Sequence, residues 1–243
     1  MTNSNSKAQE LKKRFRNGLI VSCQAPKESP LCTPEIIAAL ALCAEQNGAV
    51  GVRIDSPEHV SAVKKLVGIP VLGIYKIVED SSEVYITPTF DSAKKIADAG
   101  ADIIALDATF RNRPNDEKLE EIVGRIHSKL GLPVMADVAT LEEGLNAEKI
   151  KCDFAGTTLS GYTAETANKN QLPDFELVEN LAKNLSIPVV CEGRIRKPSD
   201  VERAFGSGAM TVVVGNAITG TDWLIREYVK ATPSNLYSRI AKD

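Results

Sequence analysis

No stretch of this 243-residue chain approaches the ~20 consecutive apolar residues that span a bilayer, which excludes a membrane-spanning helix. Charge of one sign is not in excess. Lys and Arg number 29 against 32 Asp and Glu, a formal net charge of −3, so nothing calls for a polyanion and no nucleic-acid partner is expected. Histidine is scarce: His59 and His127 sit inside helical patterns rather than at strand ends, read as surface or helix-packing residues, and leave no expectation of a metal site. The five cysteines are odd in number and have no metal-type spacing. Cys23, Cys152 and Cys191 fall in or beside apolar runs and read as small buried hydrophobes in a reducing, cytoplasmic setting. The first residues, MTNSNSKAQELKKRFRNG, contain no apolar run of the secretory type. Residues 1–6 read as a loose tail.

What the chain does contain is regular alternation. Strand-like runs occur at Leu19–Gln24, Ala49–Ile54, Val71–Lys76, Ile103–Asp107, Val134–Val138, Phe154–Thr157, Val189–Glu192 and Thr211–Val214. Between them apolar residues recur at three- and four-residue spacing, as in Val60, Val63 and Val67 or Leu177, Leu181 and Leu185. The joints repeat too. Pro70, Pro133 and Pro188 each stand just before a strand; Gly48, Gly100 and Gly208 each follow a helix, where a left-handed cap is wanted. Eight such units over 1–243 predict one α/β domain, a single (β/α)8 TIM barrel, with Leu11–Arg16 as an N-terminal helix capping its bottom. A doubly wound open sheet is the alternative.

In such a barrel, chemistry sits where strands end and the longer strand-to-helix loops begin. The last two strands, Pro188-Val-Val-Cys-Glu-Gly-Arg-Ile195 and Met210-Thr-Val-Val-Val-Gly-Asn-Ala-Ile218, both stop at glycine and run into helix-compatible stretches. Glycine admits close approach of the backbone, and helix-start N–H groups are unpaired, so Gly193, Arg194, Ile195, Gly215 and Asn216 form a candidate phosphate cradle. The other strand ends are polar: Gln24, Arg53 and Asp55, Lys76, Asp107, Asp137 and Glu192. Any one of them could be a turn former or a surface charge. Asp55 before Ser56-Pro57 and Asp91 before Ser92 read as helix caps, and Arg111 and Arg113 read equally well as loop charges or site residues. Six polar ends around one mouth are hard to explain as packing, and Lys76 and Arg53 are expected to face Asp107, Asp137 and Glu192. The segments Ile77–Phe90 and Thr157–Pro173 are long enough to be functional loops, the second rich in Thr, Ser, Gly and Tyr.

These strand ends resemble the N-acetylmannosamine-6-phosphate 2-epimerases of bacterial sialic acid catabolism. The resemblance covers nearly the whole chain. It rests on Ser22-Cys-Gln-Ala25, Gly73-Ile-Tyr-Lys76, Val84-Tyr-Ile-Thr-Pro-Thr89, Ala105-Leu-Asp-Ala-Thr109, Arg113-Pro114 and Ala136-Asp-Val-Ala-Thr-Leu-Glu-Glu143. It continues in Thr157-Thr-Leu-Ser-Gly-Tyr-Thr163, Glu192-Gly-Arg-Ile195 and Val214-Gly-Asn-Ala-Ile-Thr219. It implies a cofactor-independent isomerase acting on a sugar phosphate, with Lys76 and Glu192 as the acid–base pair and Gln24, Arg53, Asp137, Thr158 and Tyr162 contacting substrate. It also implies a homodimer. Trp223, Leu224, Tyr228, Leu236 and Tyr237 are apolar enough for the interface, or else cover the barrel's own flank. One departure stands out: after Ala217-Ile-Thr219 a basic residue is expected to help hold the phosphate, and this chain has Gly220-Thr-Asp222. Backbone N–H groups, Asn216 and Arg194 would then carry more of the phosphate, or Arg226 would reach back. Two other readings remain open. Lys76 could form a Schiff base in an aldolase, or the site could bind a sugar phosphate without turnover.

Overall fold

A computed structural model describes residues 3–169 and 172–232. Eight parallel strands close into a barrel in sequence order: β1 Leu19–Cys23, β2 Gly51–Asp55, β3 Val71–Ile74, β4 Ile103–Asp107, β5 Val134–Asp137, β6 Phe154–Gly156, β7 Val189–Glu192 and β8 Thr211–Val214, which pairs back onto β1. All eight predicted strands are present, three with the predicted bounds and five with one or both ends shifted by one or two residues. The helices around them are α2 Pro34–Gln46, α3 Pro57–Lys64, α4 Phe90–Asp98, α5 Leu119–Arg125, α6 Leu141–Lys149, α7 Phe175–Asn184, α8 Pro198–Gly206 and α9 Thr221–Lys230. Their starts are set by local chemistry. Thr89 and Thr140 form reciprocal capping boxes with Ser92 and Glu143, Asp174 accepts from the Leu177 N–H at 3.0 Å, and Pro34, Pro57 and Pro198 occupy first turns.

The strands carry apolar side chains on both faces, as parallel strands covered by helices must. Ile20, Leu72, Ile74, Ile103, Ala105, Met135, Phe154, Val190 and Val213 fill the inside. Val21, Val52, Ile54, Val71, Ile104, Leu106, Ala136, Cys191, Val212 and Val214 point out into the helical ring. The predicted proline joints hold. Pro70, Pro133 and Pro188 have no N–H to give, yet their carbonyls accept from Val52, Ile104 and Ala155. Gly48, Gly100 and Gly208 take the left-handed φ of 90°, 101° and 97°.

Helix α1, Asn3–Phe15, plugs the bottom, with Leu11 and Phe15 in the inner cluster and the Phe15 ring 6.1 Å from that of Phe154. The loose tail expected over residues 1–6 is corrected from Asn3 onward. Ser4 is buried and its hydroxyl donates to the Leu132 carbonyl at 3.2 Å, which ties the first turn to the barrel. No described helix is long and apolar enough to cross a membrane.

Candidate active site

Successive strand residues point to opposite faces, so a residue two positions beyond an inward one is also inward. Ser22 and Gln24 follow Ile20, Lys76 follows Ile74, Asp107 follows Ala105, Asp137 follows Met135 and Glu192 follows Val190. Arg53 lies between outward Val52 and Ile54. One parity rule therefore aims all of these side chains at the barrel axis, at the C-terminal end.

Arg53 is the hub. It is 1% exposed, and Nη2 lies 2.6 Å from Asp137 Oδ2, with Nη1 3.1 Å from Asp137 Oδ1 and 2.8 Å from Glu192 Oε2. Thr158 Oγ1 lies 2.6 Å from Asp137 Oδ1 and 3.2 Å from Glu192 Oε2. Burial works against the guanidinium charge, but Asp137 and Glu192 outweigh it and raise the Arg53 pKa, so Arg53 is a fixed cation. Burial is also the main effect on Glu192. It pushes that carboxyl up to about 7 despite the opposing pull of Arg53, with Asp137 adding to the rise.

Lys76 comes from β3, diametrically opposite β7 and Glu192. Its ammonium donates to Gln24 Oε1, and Gln24 Nε2 donates to Ser22 Oγ at 2.7 Å. Packing around the ammonium lowers the Lys76 pKa, Asp55 opposes this and Arg53 adds to it. The side chain is nevertheless exposed at the mouth, so water moderates the drop. Thus Lys76 falls and Glu192 rises, each toward neutrality.

Asp107 does not join the Arg53 cluster as expected, although it stands in register beside Asp137 on the adjacent strand. Its carboxylate is fully buried and taken locally. Oδ1 accepts from the Thr109 N–H and hydroxyl at 2.9 and 2.7 Å, and Oδ2 accepts from Arg111 Nη2 at 2.6 Å. Arg111 is thereby anchored at the mouth by Asp107, while Arg113 is 6% exposed and braces the Pro88 carbonyl at 3.1 Å. Two cap expectations are corrected. Asp55 accepts from the Lys76 N–H at 2.9 Å instead of capping α3, and Asp91 lies inside α4, paired with Lys95, where Thr89 is the cap.

At the β7 and β8 ends, Gly193 has φ 112°, and Gly215 abuts Ser22. Among the described residues, nothing accepts from the backbone N–H groups of Gly193, Ile195, Asn216 or Ala217. The Arg194 guanidinium is committed to the loop after β6. Nε donates to Leu172 O at 2.8 Å, Nη1 donates to Ser160 O at 2.7 Å, and the group lies 5.1 Å from the Tyr162 ring centroid. Tyr162 itself is 54% exposed. Gly220 has a structural reason to lack a side chain: a Cβ there would lie 2.6 Å from Asn216 Cα and 2.8 Å from its carbonyl oxygen. Among the described residues no ion pair or side-chain hydrogen bond joins the Arg226 guanidinium to this turn.

Tyr85 was not singled out as a site residue. Its ring packs on the inner cluster, and its phenol is raised by burial, then by Asp137 and Asp107. No local pattern marks it: Tyr85 reaches the mouth through the bridge that pairs Lys76 with Ile86, where its carbonyl accepts from the Ile77 N–H at 2.9 Å. Cys23 and Cys191, pushed up to about 12 by burial, and the still higher Cys152 are free thiols of the packing. Among the described residues no group of three or more His, Cys, Asp or Glu is placed to hold a metal ion.

Residues 37–234 match the family model described as "Putative N-acetylmannosamine-6-phosphate epimerase". A relative from Thermosynechococcus vestitus, named as an N-acetylmannosamine-6-phosphate 2-epimerase of that kind, is 49% identical over 222 residues, covering 91% of this chain and 96% of its own. One from Clostridium perfringens with the same name is 42% identical over 213 residues, covering 88% and 96%. The solved N-acetylmannosamine-6-phosphate 2-epimerase from Clostridium perfringens superposes with a TM-score of 0.88 at 40% identity, covering 91% of this chain and 96% of that one. A thiamine phosphate pyrophosphorylase from Pyrococcus furiosus, at 18% identity and a TM-score of 0.59, shares the fold alone.

Proposed function

The chain belongs to the N-acetylmannosamine-6-phosphate epimerase family, and from that premise we propose how its barrel mouth interconverts N-acetylmannosamine 6-phosphate and N-acetylglucosamine 6-phosphate. The two sugars differ only in the configuration at C2. The C2 proton is acidic when C1 is an aldehyde, so the reaction runs through the open chain and an enolate-like intermediate. It needs a base on one face, an acid on the other and cationic support for the developing oxyanion. The observation that carries this assignment is the opposed pair, Lys76 from β3 and Glu192 from β7, with the fixed cation Arg53 at Glu192. In one direction neutral Lys76 takes the C2 proton and protonated Glu192 delivers one to the opposite face. In the other direction the roles exchange. The proton count closes on itself and no electron is transferred, so no redox cofactor is required.

The 6-phosphate is assigned to the free N–H groups of Gly193, Ile195 and Asn216, beside Gly215, with Arg194 holding the neighbouring loop that carries Tyr162. Gln24, Asp137 and Thr158 hold the reacting end, Gln24 through Lys76 and the other two through Arg53 and Glu192. The enzyme is read as cytoplasmic. A homodimer is proposed through α9, none of whose residues is buried by the barrel, with Ile225 and Tyr228 at 57% and 77% exposure; Leu236 and Tyr237 lie outside the described residues. The test is incubation of the purified protein with either sugar phosphate, followed by NMR of the anomeric protons. The same equilibrium mixture is expected from both sides. No conversion, with a sugar adduct on Lys76 trapped by borohydride reduction, would favour the aldolase reading instead.

A further inference from the structure

The mouth holds a second polar cluster that the acid–base assignment leaves unused: Asp107, Thr109, Arg111 and Tyr85. Its charge is already balanced, because Asp107 is fully buried and bonded to Arg111 at 2.6 Å. A balanced pair has little attraction for another anion, so this is not a second phosphate site. What it offers is direction. The guanidinium has five N–H donors; the hydrogen bonds among the described residues use Nε toward Thr109 Oγ1 at 3.0 Å and Nη2 toward Asp107. Nη1 is left unmatched, and the side chain is 18% exposed at the mouth.

The support around it is rigid. The Phe110 N–H donates to buried Glu143 at 3.3 Å, Ser82 Oγ donates to the Asn112 carbonyl at 2.8 Å, and Arg113 is tied to Pro88. Tyr85 packs its ring on the inner apolar cluster and lies within electrostatic reach of Asp107, Arg111, Asp137 and Arg53, which places an apolar ring in the same part of the mouth as the free donor.

Position then selects the ligand group. In an eight-stranded barrel β4 faces β8. A hexosamine with its 6-phosphate at the β7 and β8 ends carries its C1–C2 end toward β3 and β4. We infer that Arg111, held by Asp107, donates to the carbonyl oxygen of the C2 acylamino group while the Tyr85 ring receives its methyl, making this cluster the selector for N-acylated substrates. A free C2 ammonium would offer the Nη1 donor no acceptor, and a C2 hydroxyl is shorter than the acylamino arm by the length of its carbonyl. Asp107 is a positioning residue and Arg111 a substrate contact.

The inference rests on the proposed substrate, and its test separates the two. Two open-chain, unreactive ligands differ only in the group at issue: N-acetylglucosaminitol 6-phosphate and glucitol 6-phosphate. Calorimetry on the wild-type protein is expected to show the acetamido compound binding roughly 10- to 100-fold tighter. Arg111→Ala should shrink that ratio to about 3 or less while leaving glucitol 6-phosphate within about twofold of wild type. Arg111→Lys, which keeps the charge beside Asp107, should lose most of the ratio as well. Equal weakening of both ligands would make Arg111 a loop brace and overturn the inference, as would an unchanged ratio in both variants. Wild-type turnover of N-acetylmannosamine 6-phosphate, measured separately, decides the function whichever way the ratios fall.

Discussion

Burial holds Glu192 near pKa 7 although Arg53 touches it, and this opposition sets two pH dependences. In the proposed mechanism the pair must carry one proton: below about pH 7 both groups are protonated and no base remains, and at high pH no acid remains. A bell-shaped kcat/KM profile is expected, its acid limb near pH 7 and its alkaline limb below the ordinary lysine value, both belonging to the coupled pair. For stability the sign follows from the raised folded pKa. The folded state binds the Glu192 proton more tightly than the unfolded chain, so this group's contribution is full below about pH 4.5 and is lost as pH rises through about 7. Glu192→Gln should therefore be more stable than wild type at pH 8, by on the order of 1–3 kcal/mol, and nearly equal at pH 5, as read by thermal unfolding at the two pH values. An equal offset at both would contradict the shift. Asp55 shows why residue roles are only partly legible. An Asp before Ser-Pro looks like a helix cap, yet its real partner is the Lys76 N–H, 21 residues away, and no local pattern encodes that choice.

Elements were easier to read, because the strands are short apolar runs and helices α2, α3, α4, α6, α7 and α8 begin at a Thr, Asp or Pro signal. The inward parity of the strand ends was also present in the sequence, as polar residues two positions beyond buried ones. The connection from β8 to α9 was less legible, since nothing local announces that Gly220 packs on the Asn216 backbone. A contrasting pair of substitutions tests this. Gly220→Ala forces a Cβ against backbone and should cost roughly 1–3 kcal/mol and weaken glucitol 6-phosphate binding. Gly124→Ala, in α5 with nothing within 4 Å of the added Cβ, should stabilise by about 0.5–1 kcal/mol and leave binding alone. Thermal unfolding and calorimetry on both variants check the contrast.

For the whole molecule, stability and chemistry occupy opposite ends of one barrel. Phe15 and Phe154 close the bottom, while the charged groups gather at the top. Phe15→Ala should cost about 3–5 kcal/mol and lower the unfolding midpoint by roughly 10 °C, with activity at 25 °C preserved. Loss of activity in a variant still folded would mean that the ends are coupled. Eight repeated units made this architecture legible, whereas the helical start at Asn3 was not, because its anchor is a single buried hydroxyl bonded to a residue 128 positions away.

In the proposed mechanism Lys76 and Glu192 move the C2 proton. Proton NMR of the reaction in heavy water tests it most directly, using N-acetylmannosamine 6-phosphate with wild type, Lys76→Ala and Glu192→Ala. Wild type should form N-acetylglucosamine 6-phosphate carrying deuterium at C2, and both folded variants should lose exchange and epimerisation together. A product that keeps its C2 proton, or either variant exchanging that proton at close to the wild-type rate, would contradict the account.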